Sequence, residues 1–240
     1  TNAAGIAEEI LTEELKVLQQ RYQELMRKAK IAVGKTLLYK EPPYYITLGK
    51  ELPAKALDEI LTDSKEIYEE LQEYYKKDTS FDEISVTFYE DTYSLYNLYR
   101  FAHYYEEAYG KYIWLKSGAS LVIEHTEAMT VIDVNTGSVL KKKRQEDTLF
   151  YQINREAAKE IARQIRLRNI SGIIMIDFIN MKDEKQKEKL LLLLENECRK
   201  DRIHCNVVDM TALNLVEMTR SKVRRPLLEQ ITVCRKMQKN

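Results

Sequence analysis

Val131-Ile132-Asp133-Val134-Asn135 and Ile173-Ile174-Met175-Ile176-Asp177-Phe178 are two runs of β-branched and apolar residues, each carrying an aspartate near its end. Such runs have the composition of buried strands. The helix-length segment between them lets both carboxylates reach one edge of a sheet. Two like charges ~4 Å apart at an effective dielectric near ~20 repel by roughly 4 kcal/mol, so the pair asks for a cation. Oxygen donors alone point to a hard metal, most simply Mg²⁺. A single Asp at a strand end is more often a turn former or a helix cap, so spacing by itself leaves both readings open.

Outward from these runs the chain punctuates itself. Upstream, strands are expected at 112–115, 120–123 and 128–134. After Gly137 comes the basic loop Lys141-Lys142-Lys143-Arg144. A helix follows, with Ile153, Ala157, Ile161 and Ile165 on one side, and Gly172 is expected as its C-terminal cap. A strand to Asp177, a helix over 183–199 and strands at 205–209 and 215–219 complete an alternating α/β unit. Asn135 lies two residues beyond Asp133 on the same strand face, where its amide either orients the carboxylate or a phosphate oxygen, or serves as the left-handed turn residue before Gly137.

Toward the N-terminus, Ile6, Ile10, Leu15, Leu18, Tyr22, Leu25, Met26 and Ala29 recur at near-helical spacing, predicting one long amphipathic helix that ends near Gly34. Pro42-Pro43 then marks a linker before the strand-like Tyr44–Leu48. Two helices broken near Ser64 and a strand at 84–88 are expected next. Seven tyrosines lie between Tyr93 and Tyr112. Their spacing suits a base-stacking platform, but a helical core with hydroxyls at its rim is the commoner use of such a pattern.

The 240 residues, 44% of them hydrophobic, suffice for one or two domains, and no apolar run is long enough to cross a bilayer. No signal-peptide pattern is visible; because the chain starts at Thr1 rather than Met, a removed leader stays compatible with it. Cys198, Cys205 and Cys234 are odd in number and lack C-x-x-C spacing, which predicts reduced thiols and a cytoplasmic location. The net charge is zero but segregated. Residues 58–91 hold twelve acids against three lysines, whereas 141–168 hold nine Lys/Arg against four acids and 199–225 seven against three. The stretches that follow the two aspartates are thus basic and suit a polyanion, although isolated basic runs are usually solvated faces.

Three blocks, in order, strongly resemble the catalytic core of the ribonuclease E/G family: Glu124-His125-Thr126-Glu127-Ala128-Met129-Thr130-Val131-Ile132-Asp133-Val134-Asn135-Thr136-Gly137, then Asn154-Arg155-Glu156-Ala157-Ala158-Lys159-Glu160-Ile161-Ala162-Arg163-Gln164-Ile165-Arg166-Leu167-Arg168-Asn169, then Gly172-Ile173-Ile174-Met175-Ile176-Asp177-Phe178-Ile179. The resemblance implies a mixed α/β fold: the end of a 5′-sensor region with the long helix over 1–43, a ribonuclease-H-like structural domain over 44–110, a DNase-like catalytic domain over 111–228 and a degenerate zinc-link tail over 229–240.

It also implies an endoribonuclease that cleaves single-stranded, AU-rich RNA in RNA processing and decay, leaving a 5′-phosphate and a 3′-hydroxyl. Asp133 and Asp177 would hold Mg²⁺, Asn135 would support them, and a bound water would be the nucleophile. Thr1 matches one member of the family's 5′-end-recognising pair. Lys141, Lys142, Lys143, Arg163 and Arg166 are expected to contact RNA phosphates.

Three departures accompany these matches. His204 stands after Asp201-Arg202 where the family has a basic catalytic contact; a neutral imidazole would make that contact pH-dependent. Cys234-Arg235-Lys236-Met237 replaces the Cys-Pro-x-Cys zinc motif, so a zinc-joined dimer is not expected, although another homo-oligomer stays open. The OB-fold RNA clamp that the family places further upstream is also missing, unless this sequence is a fragment of a longer enzyme. A non-catalytic RNA-binding or scaffold piece is therefore the alternative, and a phosphodiesterase acting on small nucleotides a third.

Overall fold

The computed structural model describes residues 8–51, 57–76, 84–137 and 146–231 and divides into two compact units. The smaller, residues 1–60 with 66–86, contains helix α1 (Glu8–Ile31), helix α2 (Tyr44–Glu51) and all but the first residue of helix α3 (Lys65–Lys76), together with the first halves of strands β1 (Glu59–Thr62) and β2 (Ser85–Phe88). Its core gathers Ile46, Leu71 and Tyr75, with Ile60, Ile67, Tyr74, Ile84 and Val86 packed around them. Leu15, Leu18, Tyr22 and Met26 of α1 are exposed, so the stripe that marks the helix in sequence is not a buried face.

Two local expectations fail here. Tyr44–Leu48, strand-like by composition, is the first part of α2: the Pro43 carbonyl accepts from Ile46 N–H and Thr47 N–H, opening a helix rather than an extended segment. Ile46 then packs with Leu71 and Tyr75, and the Tyr75 hydroxyl donates to the Ile46 carbonyl at 3.3 Å. Glu59–Thr62, expected within a helix, is instead β1 and pairs with β2. Four residues are too short a run for periodicity to separate strand from helix.

The larger unit holds residues 61–65 and 87–240. After the short helices α4 (Leu95–Leu98) and α5 (Phe101–Tyr109) come strands β3 (Tyr112–Trp114), β4 (Ser120–His125) and β5 (Met129–Asn135), helix α6 (Glu146–Leu167), strand β6 (Gly172–Asp177), helix α7 (Glu184–Cys198), and strands β7 (Cys205–Met210) and β8 (Leu215–Arg220). They form a six-stranded mixed sheet in the order β3-β4-β5-β6-β8-β7. Within this sheet, among the described residues, β5 and β6 are the pair that runs in parallel, as a strand, crossover helix and strand require. The mixed α/β class read from the sequence is the one observed.

Strand alternation decides what each face of this sheet carries. On β5, Thr130, Ile132 and Val134 are buried while Asp133 and Asn135 point the other way. On β6, Ile174 and Ile176 are buried and Asp177 is exposed. The buried set packs with Ile153, Ala157, Ile161 and Ile165 of α6 and with Leu190 and Leu194 of α7 in one core. A one-residue slip would drive both aspartates into that apolar layer, so the core fixes the register of the carboxylates.

Helix α6 ends at Leu167, short of Gly172. Asn169 takes the left-handed conformation (φ 50°), its N–H donates to the Arg166 carbonyl, and Ile170 N–H reaches back to the Ile165 carbonyl. These are the two bonds of a Schellman cap, and Ile165 and Ile170 both belong to the buried core. Gly172, also at positive φ, begins β6. The tyrosine-rich segment departs from the core expectation as well: Tyr93, Tyr96, Tyr99, Tyr104, Tyr105 and Tyr112 are exposed, and because the segment breaks into two short helices and the start of β3, their spacing does not run along one helix face.

Candidate active site

Asp133 and Asp177 are partners in the parallel register of β5 and β6, side by side on the sheet face that α6 and α7 do not cover. Neighbouring strands lie ~4.8 Å apart, which sets the scale of their separation. The Asn135 amide donates to Asp133 Oδ2 at 2.7 Å. Asn135 belongs to β5 rather than to a turn. This bond leaves the Asn135 side-chain oxygen for other partners without adding charge.

Desolvation at the strand end and then the neighbouring charge of Asp133 push the Asp177 carboxyl above its ordinary value. Like charges held together in this way favour a proton or a cation between them. Among the described residues no third His, Cys, Asp or Glu completes a metal cluster. Two carboxylates and an amide, all oxygen donors, fit Mg²⁺, which binds through one or two carboxylates and keeps waters or substrate phosphates for its other positions. The donor set does not suit structural zinc, which needs four protein ligands.

The raised Asp177 value has a signed consequence for stability. A carboxyl whose folded pKa lies above its unfolded value adds stability at low pH, and loses that contribution as pH rises through the folded pKa. In EDTA, the melting temperature of the parent relative to Asp177→Asn will therefore fall as pH climbs above the ordinary carboxylate range. Differential scanning at stepped pH measures it; a difference that is flat or rises would contradict the pairing.

Other residues expected at a site are placed elsewhere. Arg163 pairs with Glu107 and, at 3.0 Å, with Glu160; Arg166 donates to the Glu197 carbonyl at 3.2 Å. Both belong to α6, which lies on the sheet face away from Asp133, and both are engaged within the protein. His204 precedes Cys205, which pairs with Arg220, itself opposite Gly172, so it stands at the far edge of the sheet from Asp177. Five residues of strand separate those edges, on the order of 16 Å. The sequence order after Asp201-Arg202 carried no information about which edge His204 would occupy. Thr1, Lys141, Lys142, Lys143 and Cys234 lie outside the described residues. Cys198 and Cys205 are free thiols.

Two side chains of the site's surroundings were quoted in sequence without a role. Asn154 is fully buried and exchanges two hydrogen bonds with the backbone of Ile179, two residues beyond Asp177. Glu156 accepts from Lys116 N–H and Ser117 N–H. A signal for Asn154 was available: it falls on the apolar stripe of α6 with Ala158, Ile161 and Ile165, where an amide needs a buried partner.

Two carboxylates paired in register across parallel strands on one sheet face are residues that could hold a divalent cation. A model of the Ribonuclease E/G family matches residues 1–223. The chain is 34% identical over 227 residues to "Ribonuclease G" of Escherichia coli (strain K12), covering 95% of this chain and 46% of that protein. It is 34% identical over 224 residues to "Ribonuclease G" of Salmonella typhimurium, covering 93% and 46%, and 31% identical over 233 residues to "Ribonuclease E" of Nostoc sp., covering 95% and 34%. The chain belongs to the ribonuclease E/G family, and it spans about half the length of the ribonuclease G relatives it matches. No helix among the described residues is long and apolar enough to cross a membrane.

Proposed function

We propose that this chain carries the catalytic centre of an endoribonuclease that cleaves single-stranded RNA with Mg²⁺, preferring AU-rich segments and leaving a 5′-phosphate and a 3′-hydroxyl. The observation that carries the proposal is the register pairing of Asp133 with Asp177 on the uncovered face, taken together with membership of the family. Asp133 and Asp177 hold the ion, and Asn135 keeps the Asp133 carboxylate oriented. When bound, Mg²⁺ supplies a water of lowered pKa and charge stabilisation at a phosphate oxygen. Met129, Val131 and Ile173 on the face of the two aspartates are exposed, while helices α6 and α7 pack against the opposite face.

Lys141, Lys142 and Lys143 follow Asn135 closely in sequence and are the proposed phosphate contacts, so binding will weaken steeply with salt. Processing and decay of cellular RNA in the cytoplasm is the setting this chemistry suits.

The test mixes the chain with a 5′-monophosphorylated, AU-rich single-stranded RNA of about twelve nucleotides, with Mg²⁺ or with EDTA. Internal cleavage with Mg²⁺ alone, giving products that carry a 5′-phosphate, supports the proposal. Salt-sensitive retention of uncut RNA under both conditions overturns it in favour of an RNA-binding piece, and equal turnover of a dinucleotide in favour of a small-nucleotide phosphodiesterase.

A further inference from the structure

We propose that Asn154 and Glu156 of α6 are positioning residues that set the metal-binding geometry of the two aspartates from opposite sides, an inference that rests on the proposed metal site. Two residues apart on a helix, their side chains diverge by about 200°, which lets one turn of α6 reach two different loops. Each loop borders one of the aspartate strands.

Asn154 holds the exit of β6. Its Nδ2 donates to the Ile179 carbonyl at 2.7 Å and its Oδ1 accepts from Ile179 N–H at 3.0 Å. The amide thus behaves as a peptide unit and continues the strand's hydrogen bonding just past Asp177, with Phe178 buried between the two positions. A fully buried amide with both ends satisfied by one residue permits little sliding of that segment.

Glu156 holds the exit of β5 less directly. Its carboxylate accepts from Lys116 N–H at 2.7 Å and Ser117 N–H at 3.3 Å, fixing the turn between β3 and β4. That turn abuts Gly137, two residues beyond Asn135: at Gly137 (φ +57°) an added Cβ would stand 2.5 Å from the Gly118 carbonyl oxygen. The backbone leaving β5 therefore lies directly against the turn that Glu156 anchors. Losing either anchor frees one carboxylate-bearing strand end relative to the other, and a cation held jointly by two carboxylates is sensitive to their spacing.

The experiment measures Mn²⁺ affinity and stoichiometry by electron paramagnetic resonance of the free ion, together with the Mg²⁺ concentration that half-saturates cleavage. Asn154→Ala is expected to weaken Mn²⁺ about 10-fold and Glu156→Gln about 3-fold, with near-normal rates restored at saturating Mg²⁺. Ile161→Ala, which removes apolar volume from the same helix but leaves the Asn154 and Glu156 hydrogen bonds in place, is the control: it lowers the number of sites in proportion to unfolding and leaves affinity unchanged.

Parent-like affinity in both folded variants overturns the inference, as does an equal loss of affinity in Ile161→Ala. Should Asn154→Ala fail to fold, Glu156→Gln decides alone. If the parent itself shows no Mn²⁺ binding removable by Asp133→Asn, the metal site fails and the inference with it; if it binds and only the α6 variants prove silent, the site stands and the inference falls.

Discussion

Asp133→Asn will lower Mg²⁺-dependent RNA cleavage by about 10³-fold, on the order of 4 kcal/mol of transition-state stabilisation, while leaving the fold intact and the metal-free protein no less stable. The substitution keeps the side chain's size and its place on the open face of β5, so the packing of Ile132 and Val134 on α6 is untouched. What it removes is one of two charges that face each other across the β5–β6 register. With Asp133 neutral, one cause of the raised Asp177 pKa disappears, and the Asp177 carboxyl moves down toward its ordinary value. Function and metal-free stability are thus expected to part company. Initial rates and melting temperatures in EDTA measure both; a variant that loses activity only because it melts earlier would contradict the reading.

Arg220→Met will cost about 3–5 kcal/mol of stability without altering metal affinity in the folded protein. Arg220 and Asp201 are each only 3% exposed and pair at 2.8 Å. The same guanidinium donates to Asn169 Oδ1 at 2.8 Å and to the Ile170 carbonyl at 2.9 Å, tying β8 to the Schellman cap of α6. Methionine fills the volume but strands the Asp201 charge in a dry site, which is the expensive way to break such a pair. At 2–4 °C per kcal/mol for a chain of this size, the melting temperature should fall by roughly 6–20 °C. Adding Asp201→Asn should recover part of the loss, because the uncompensated charge is then gone. Asp201-Arg202 drew notice in sequence as a catalytic landmark; its buried acid is a structural anchor at the sheet edge remote from Asp177. A drop in stability below about 1 kcal/mol, or a change in Mn²⁺ affinity, would contradict this assignment.

The paired aspartates were legible because two properties coincide: strand composition is strong in Val131–Val134 and Ile173–Ile176, and the helical stripe between them demands a crossover. Once the apolar residues go inward, alternation leaves Asp133, Asn135 and Asp177 no other face. Tyr44–Leu48 was misread because Tyr, Ile and Thr favour strands on average, whereas here Pro43 opens a helix and Ile46 docks on α3. The edge of the sheet on which His204 falls depends on the antiparallel pairing of β8 with β6 and β7, a long-range fact that no local pattern carries. Asn154 was visible as an amide on an apolar stripe, but its partner, the Ile179 backbone, is 25 residues away. Sequence could say that a partner was needed without naming it.

The central claim, that one divalent ion is gripped jointly by Asp133 and Asp177, is tested most directly by the anomalous diffraction of a crystal soaked in Mn²⁺. The account predicts a single strong peak between the two carboxylates, within about 2.2 Å of an oxygen from each. A peak bound to only one of them, or found elsewhere with the two side chains turned apart, would contradict it.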